Sequence, residues 1–451
     1  LTIRVIGGGL SGCEAALQLA DAGHEVELYE MRPRVETPAH KTDGLAELVC
    51  SNSFKGLART GAHGLLKEEI AALGSKLLPL AFESRVPAGE SLAIDREAFS
   101  GKVREAVEAR PGIKLIRDEV KTLDPDVWTI LATGPLTSEA LAQDLFARVA
   151  PAVSAATGKE GKRLFFFDSI APVVTADSLD LDILYARNRW DKGDAPDFLN
   201  VPLNEEEYYA FVDALVTADT VEAKPFEKGQ LFEGCLPIEE MARRGRETLR
   251  FGPMRPIGLP DPRTGADPFA VIQLRAENAH KTLYNLVGFQ TRLKWGTQKE
   301  ILTRLPGLRG AEFARFGAMH RNTFIDSPKL LDHTLRLKGT KIFCAGQITG
   351  AEGYTEALST GFYAASMLHA TLRDGGTTPF RWPEGTCVRA LTEHLTWPNP
   401  DFQPMNFNFG LLPVRDNWRK SQRKEMQIKT CVEAWVGFAP MGSKGKVEGG
   451  G

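Results

Sequence analysis

The stretch "VIGGGLSGCEAALQLADAGHEVELYE" (residues 5–30) constrains this chain more than any other. Gly7, Gly8 and Gly9 lie between an apolar strand pattern and an amphipathic helix pattern over 10–22, which opens with Leu10, Ser11 and Gly12. A second strand pattern then closes on Glu30. Gly7, Gly9 and Gly12 fit G-x-G-x-x-G. The first glycine allows a tight turn, the second lets backbone approach a pyrophosphate, and the third lets helix and strand pack closely. The helix start presents free N–H groups and partial positive charge to the phosphates. Glu30 follows Gly12 by 18 residues, where an acid accepts hydrogen bonds from a ribose. Strand, helix and acid together make this a dinucleotide site rather than a bare glycine-rich turn.

Two later segments bear on which dinucleotide. "VWTILATGPLTS" (127–138) reads as a buried strand followed by Gly134 and Pro135. "KIFCAGQITGAEGYTEALSTGFYAASMLHA" (341–370) reads as a strand, a loop holding Gly346, Gln347 and Gly353, and a long helix from about Tyr354 and Thr355. This order resembles flavoproteins of the glutathione-reductase type. The resemblance implies tightly held FAD, with the helix from Tyr354 aiming its positive end at the flavin ring. The expected fold class is α/β: a glutathione-reductase-like FAD-binding Rossmann domain with an inserted α+β domain. Residues 1–150 and 331–451 are expected to form the two parts of the FAD-binding domain. Residues 151–330 form the insertion, with aromatic strands ("RLFFFDS", "ARNRW") and Pro/Gly-rich turns.

At 451 residues, 43% hydrophobic and 25% charged, the chain suits a globular protein of two or three domains. No apolar run approaches the roughly 20 residues needed to span a bilayer. The strand pattern from Thr2 leads straight into the glycine turn, so no secretory leader is expected either. The six cysteines are scattered, without C-x-x-C or metal-ligand spacing. A reduced, cytoplasmic setting is expected, with no metal and no structural disulfide. Net charge is −3, so any nucleic-acid contact must come from a local patch. "ARRGRETLR" (242–250) and "RDNWRKSQRKEMQIK" (415–429) qualify, although on charge alone each reads as a solvated helix face.

Five blocks then point to one family: "GGGLSGCEAA", "ELVCSNSFKG" (47–56), "FEGCLPIEEMARRG" (232–245), "GAMHRNTFI" (317–325) and "AGQITGAEGYTEA" (345–357). Together, over almost the whole chain, they resemble TrmFO, the folate- and FAD-dependent tRNA uracil-5-methyltransferases. The resemblance implies 5-methyluridine formation in the tRNA T-loop. The carbon would come from 5,10-methylenetetrahydrofolate and the electrons from NAD(P)H through FAD. The flavin blocks also suit the longer enzymes that build carboxymethylaminomethyl groups on wobble uridine, but the two cysteine blocks and the short C-terminal tail favour the methyltransferases. A flavin-bearing protein that binds tRNA to assist its folding is a third reading. A small-molecule disulfide reductase is disfavoured, because no redox cysteine pair is visible in the sequence.

The implied chemistry needs a reactive thiol, a base, a flavin and a folate pocket. Uracil C5 becomes nucleophilic only after a group adds at C6. The transferred carbon, at the formaldehyde level, must then be reduced to methyl. Cys235 precedes Pro237, which can take a first helical position, so a helix field and nearby arginines would lower its pKa. Cys50 ends the apolar "AELVC" and opens the polar "SNSFKG", a strand-to-loop edge. With the resemblance, Cys235 is assigned as nucleophile and Cys50 as base or assisting thiol, roles that can be exchanged. Cys13 and Cys344 read as core residues. For folate, Trp295 offers a stacking surface, and His320, Arg321 and Asn322 offer hydrogen bonds and a cation for the glutamate tail.

Overall fold

A computed structural model describes residues 1–37, 39–157, 164–193, 195–221, 236–278, 280–375, 381–399 and 402–441. At 149–157, 164–170 and 318–322 it describes the backbone alone. A five-stranded sheet forms around Thr2–Ile6, whose Ile3 and Val5 are fully buried. The order is Ile342–Cys344, Thr129–Leu131, Thr2–Ile6, Glu25–Tyr29, Ile113–Ile116. Every pairing is parallel. Thr129–Leu131 and Ile342–Cys344 are buried on both faces, as parallel strands usually are, whereas Thr2–Ile6 and Glu25–Tyr29 alternate buried apolar residues with Arg4, Glu25 and Glu27.

The helix Leu10–Asp21 crosses from the first strand to the second and packs against the long helix Tyr354–Arg373. Ser11 Oγ donates to Ala357 O at 2.8 Å. A Cβ on Gly361 would stand 2.3 Å from Ser11 O, so the two helices touch backbone to backbone. The first and last thirds of the chain thus build one core.

A second sheet has six antiparallel strands in the order Tyr185–Ala186, Phe198–Leu203, Ala270–Ala276, Leu283–Leu286, Val173–Thr175, Phe313–Arg315. One face, with Val174, Val201, Ile272, Leu274 and Leu286, is covered by the helices Glu205–Thr217, Ile238–Arg243 and Trp295–Leu302. Asn204 and Glu207 cap the first of these reciprocally. The other face carries Asn200, Gln273, Arg275 and Asn285, and near it Phe198 packs on Val86, Ala88 and Ala93 of the first body. A two-stranded antiparallel ribbon pairs Leu164–Ile170 with Ala318–Phe324. The second core draws on residues between Val174 and Ala311, whereas Phe324 and Ile325 pack in the first. The architecture is a Rossmann-type α/β body carrying an inserted α+β body.

Two local expectations change. "ARNRW" is strand only at its first residue, after which Arg189–Asp191 forms a 3-10 turn with Trp190 at φ 60°. Trp190 N donates to Gly258 O at 2.8 Å, which turns the chain out of the sheet. "AELVC" is turn and coil rather than strand, with Ala46 at φ 50°. Side chains satisfy its neighbourhood's carbonyls in place of a ladder: Ser100 Oγ donates to Leu45 O at 2.7 Å, and Arg96 Nη1 to Leu48 O at 3.0 Å.

Candidate active site between the two sheets

The glycine turn opens onto a cleft of about 970 Å³, its open mouth included. Gly7, Gly9, Leu10, Ser11, Glu30, Gly134, Gln347 and Tyr354 line it. Gly7 has φ +109°, and a Cβ on Gly12 would meet Gly7 O at 1.8 Å, so both positions are closed to other residues. Gly9 differs, because a Cβ there would meet nothing within 4 Å. It caps the helix Leu10–Asp21 without any side-chain hydrogen bond, leaving the first-turn amides free.

Glu30 Oε2 accepts from Gly8 N at 3.0 Å, while Oε1 accepts from Arg32 N at 3.0 Å and Arg32 Nε at 2.9 Å. Burial alone would raise the Glu30 carboxyl, but the Arg32 hydrogen bonds and charge outweigh it and hold the group low. Oε2 therefore keeps an anionic lone pair for a ribose hydroxyl. Across the cleft, the helix Tyr354–Arg373 starts at Gly353, also without a side-chain cap. Gly346 N donates to Thr360 Oγ1 at 2.9 Å, and Thr355 is buried in the helix's first turn. Two uncapped helix starts, an open Cβ direction and a charged acid fit a flavin dinucleotide.

Cys50 is a half-buried free thiol beside this cleft. Tyr354 Oη accepts from Cys50 N and Ser51 N at 3.1 Å and donates to Ser51 O at 2.9 Å. Burial pushes the Tyr354 phenol well above its ordinary pKa, so it stays a neutral clamp. Asn52, fully buried, donates to Ile94 O at 3.1 Å in the first body and to Ala276 O at 3.0 Å in the second. It also accepts from Arg275 Nε at 3.0 Å. Arg96 Nε lies 3.0 Å from Glu277 Oε2, another ion pair between the bodies. The cysteine loop is therefore held from both sides.

Cys235 lies outside the described residues. Its expected helix, Ile238–Arg243, has only six residues, begins one position after Pro237, and carries Glu239 and Glu240 in its first turn. Those acids oppose the helix field on which a lowered Cys235 pKa was expected to rest. His320, Arg321 and Asn322 pair with Asp168, Phe167 and Phe166 on the ribbon. Trp295 is 65% exposed and stacks on Phe316 at 5.9 Å, so its ring is not a core filler. Its helix is tied to the ribbon: Gln298 Nε2 donates to Gly317 O at 2.9 Å. Cys13 is buried with its Sγ 3.2 Å from Gly8 O, and burial pushes its pKa far up. Burial likewise lifts Cys344 to about 12.

One cluster was invisible in the sequence. Cys387 Sγ and Cys431 Sγ, both free thiols, lie 3.2 Å apart. Cys431 Sγ is 3.3 Å from Glu69 Oε2. Glu69 accepts from Cys387 N at 2.6 Å and Val388 N at 2.9 Å, capping the helix Cys387–Thr396 from a distant segment. Burial lifts its carboxyl to about 7. The two basic stretches also separate. Arg243, Arg246 and Arg250 pair with Glu240, Asp213 and Glu247. By contrast Arg415, Arg419, Lys420, Arg423, Lys424 and Lys429 are all exposed. Among the described residues only Lys429 of these six has an acid partner, Glu433 at 3.9 Å. No helix among the described residues is long and apolar enough to cross a membrane.

Residues 2–375 match the family model of glucose inhibited division protein A. The solved GidA of Aquifex aeolicus, 17% identical, superposes with a TM-score of 0.68 over 98% of this chain and 74% of its own. That likeness concerns the fold. A methylenetetrahydrofolate–tRNA-(uracil-5-)-methyltransferase TrmFO from Geobacter sulfurreducens is 52% identical over 96% of each chain. One of the same name from Koribacter versatilis is 49% identical over 97% of each. Identity at that level over nearly the whole of each chain has one consequence: the chain belongs to the TrmFO family.

Proposed function

We propose that this chain methylates C5 of a uridine in the tRNA T-loop, with carbon from 5,10-methylenetetrahydrofolate and reduction by NAD(P)H through FAD. The observation that carries the reading is 52% identity over 96% of the chain to a relative of that name. The cleft supports it. Amides of the helix starting at Leu10 hold the pyrophosphate, and Glu30 holds a ribose. The helix Tyr354–Arg373 brings its first-turn amides to the ring end, the Glu356 carboxylate in the same turn offsetting part of their positive charge. Bound there, FAD supplies the hydride equivalent that takes the transferred carbon to methyl.

The remaining steps fall to the chain's own groups. Cys235 as nucleophile adds to uracil C6, and Cys50, fixed by Tyr354 and Asn52, takes the C5 proton. The opposite assignment of the two thiols uses the same atoms. Trp295, His320, Arg321 and Asn322 receive the folate. The exposed cations over 415–429 supply a local basic patch for tRNA on a chain whose net charge is −3.

The test is purified protein with unmodified tRNA transcript, labelled methylenetetrahydrofolate and NADPH or NADH. Labelled 5-methyluridine in the T-loop is the expected product. Label at the wobble uridine, or tRNA binding without transfer, would replace this reading with one of its two competitors.

A further inference from the structure

The inserted sheet presents a row of hydrogen-bond donors to the cysteine loop. In register, Arg275 lies opposite Asn285 and Asn285 opposite Val173; a bulge after Phe313, which meets Val174, then sets Arg315 opposite Val173. Residues directly opposed in antiparallel strands share a face. Here it is the face away from the apolar core, because Leu274, Leu286 and Val174, each adjacent in sequence to one of these, enter that core. Arg275 reaches Asn52, two residues past Cys50, and Glu277 on the same edge holds Arg96. Arg275 and Arg315 both feel the charges of Arg96 and Glu277, and both stand within electrostatic reach of Cys50 and Tyr354.

Several of these buried donors have no acceptor among the described residues: Asn285 Nδ2, Arg315 Nε and Nη2, and Arg96 Nη2. Burial lowers the pKa of Arg315, with Arg96 adding repulsion, yet a guanidinium remains charged. A buried cation with unmade hydrogen bonds is costly unless a ligand completes it. Three guanidinium groups face one carboxylate, so the ligand must offer oxygens that are, or become, negative. Between Arg275 and Arg315 the row spans three strand spacings, about 14 Å, with Asn285 and Val173 as its floor. Two arginine side chains leave room there for one flat ring.

We propose that Arg315, with Asn285 Nδ2, is the oxyanion donor set for the target uracil. This rests on the methyltransferase reading and on uracil reacting beside Cys50. When a thiolate adds to C6, its electron pair forms the S–C6 bond. The C5=C6 pair shifts to C4–C5, and the C4=O4 pair comes to rest on O4. Arg315 receives that oxygen, so it is a catalytic residue. The charge returns to the ring when C5 attacks the one-carbon electrophile, and no further reactant is needed. Donors aimed at a charge that exists only during the reaction raise kcat more than they tighten binding.

The test compares Arg315→Met and Arg315→Lys with wild type. The Arg315 side chain has no hydrogen bond among the described residues, so Arg315→Met should keep its flavin absorbance and wild-type melting temperature. The expected result is a kcat lower by roughly 10²–10³-fold, with KM for tRNA and folate within about threefold. Covalent trapping of RNA carrying 5-fluorouracil should slow by the same factor, and Arg315→Lys should recover part of both rates. A wild-type kcat in Arg315→Met overturns the inference. So does a raised KM for folate or for tRNA at unchanged kcat, which would assign the row to a folate carboxylate or a phosphodiester instead. If wild type itself transfers no methyl group, the methyltransferase reading fails first and takes this inference with it.

Discussion

Gly9→Val separates a glycine kept for a ligand from one kept for the fold. Gly9 sits at φ −80°, ψ −171°, extended backbone open to any residue, and its Cβ direction is empty for 4 Å. The Cβ of a valine there meets no protein atom within 4 Å. Losing a glycine stabilises by about 0.4–1 kcal/mol through the unfolded chain, and a poorer N-cap offsets a few tenths. The apoprotein should therefore unfold within about 1 kcal/mol of wild type. The ligand fares differently, because the side chain occupies the approach of the pyrophosphate to the helix amides. Losing two charge-assisted hydrogen bonds costs about 3–6 kcal/mol, a 10²–10⁴-fold weaker dissociation constant. The assay is the ratio of blue flavin absorbance to protein absorbance after purification, with a denaturant melt of the same sample. Gly361→Ala is the control, since its Cβ would stand 2.3 Å from Ser11 O and 2.8 Å from Ser11 Cα, both backbone. It should cost about 1–3 kcal/mol of stability by forcing two helices apart. A Gly9→Val protein that purifies with a full complement of flavin refutes the placement of the dinucleotide.

Four further outcomes follow from the same geometry. Cys235→Ala should abolish both methylation and the adduct with 5-fluorouracil RNA, whereas Cys50→Ala should form the adduct without releasing product; the reverse pattern exchanges the two roles. Asn52→Ala removes two donated hydrogen bonds and one accepted from Arg275, and should destabilise the protein by about 2–4 kcal/mol; unchanged stability would deny that it joins the bodies. Glu69, lifted by burial from 4.5 to about 7, binds its proton more tightly folded than unfolded. Its contribution is complete below the unfolded value and should be lost as pH rises through about 7, some 3 kcal/mol in all, a slope that Glu69→Gln should lack. Neutralising Arg419, Lys420 and Arg423 together should reduce the salt slope of tRNA binding by roughly 2–3, and an unchanged slope returns the segment to a solvated face.

The cofactor cleft was legible because its signals are contiguous. A strand, a glycine turn, a helix and Glu30 fall within 30 residues, and the helix at Tyr354 follows its own glycine loop. The junction around Cys50 was not, because Asn52, Arg96, Arg275 and Tyr354 come from four separate segments that only the packed bodies bring together. "AELVC" misled for a physical reason: its apolar residues enter the core as coil, their neighbours' carbonyls taken by Ser100 and Arg96 instead of a strand. Pro237 correctly marked a helix start, but sequence periodicity did not limit that helix to six residues. The donor row depends on strand register across four strands, and the thiol pair of Cys387 and Cys431 bridges 44 positions. Neither leaves a local pattern.

Asn52 has a mechanical consequence. Its carboxamide grips Ile94 in one body while its amide hydrogens and oxygen grip Ala276 and Arg275 in the other, two residues along the chain from Cys50. A rotation that separates the bodies must stretch one of those grips or drag the loop, and the thiol moves with it. The position of the sulfur thus gauges how far the two halves have closed. A bulky polynucleotide pressing on the inserted body would shift the thiol by leverage through Asn52 before its own uridine arrives there.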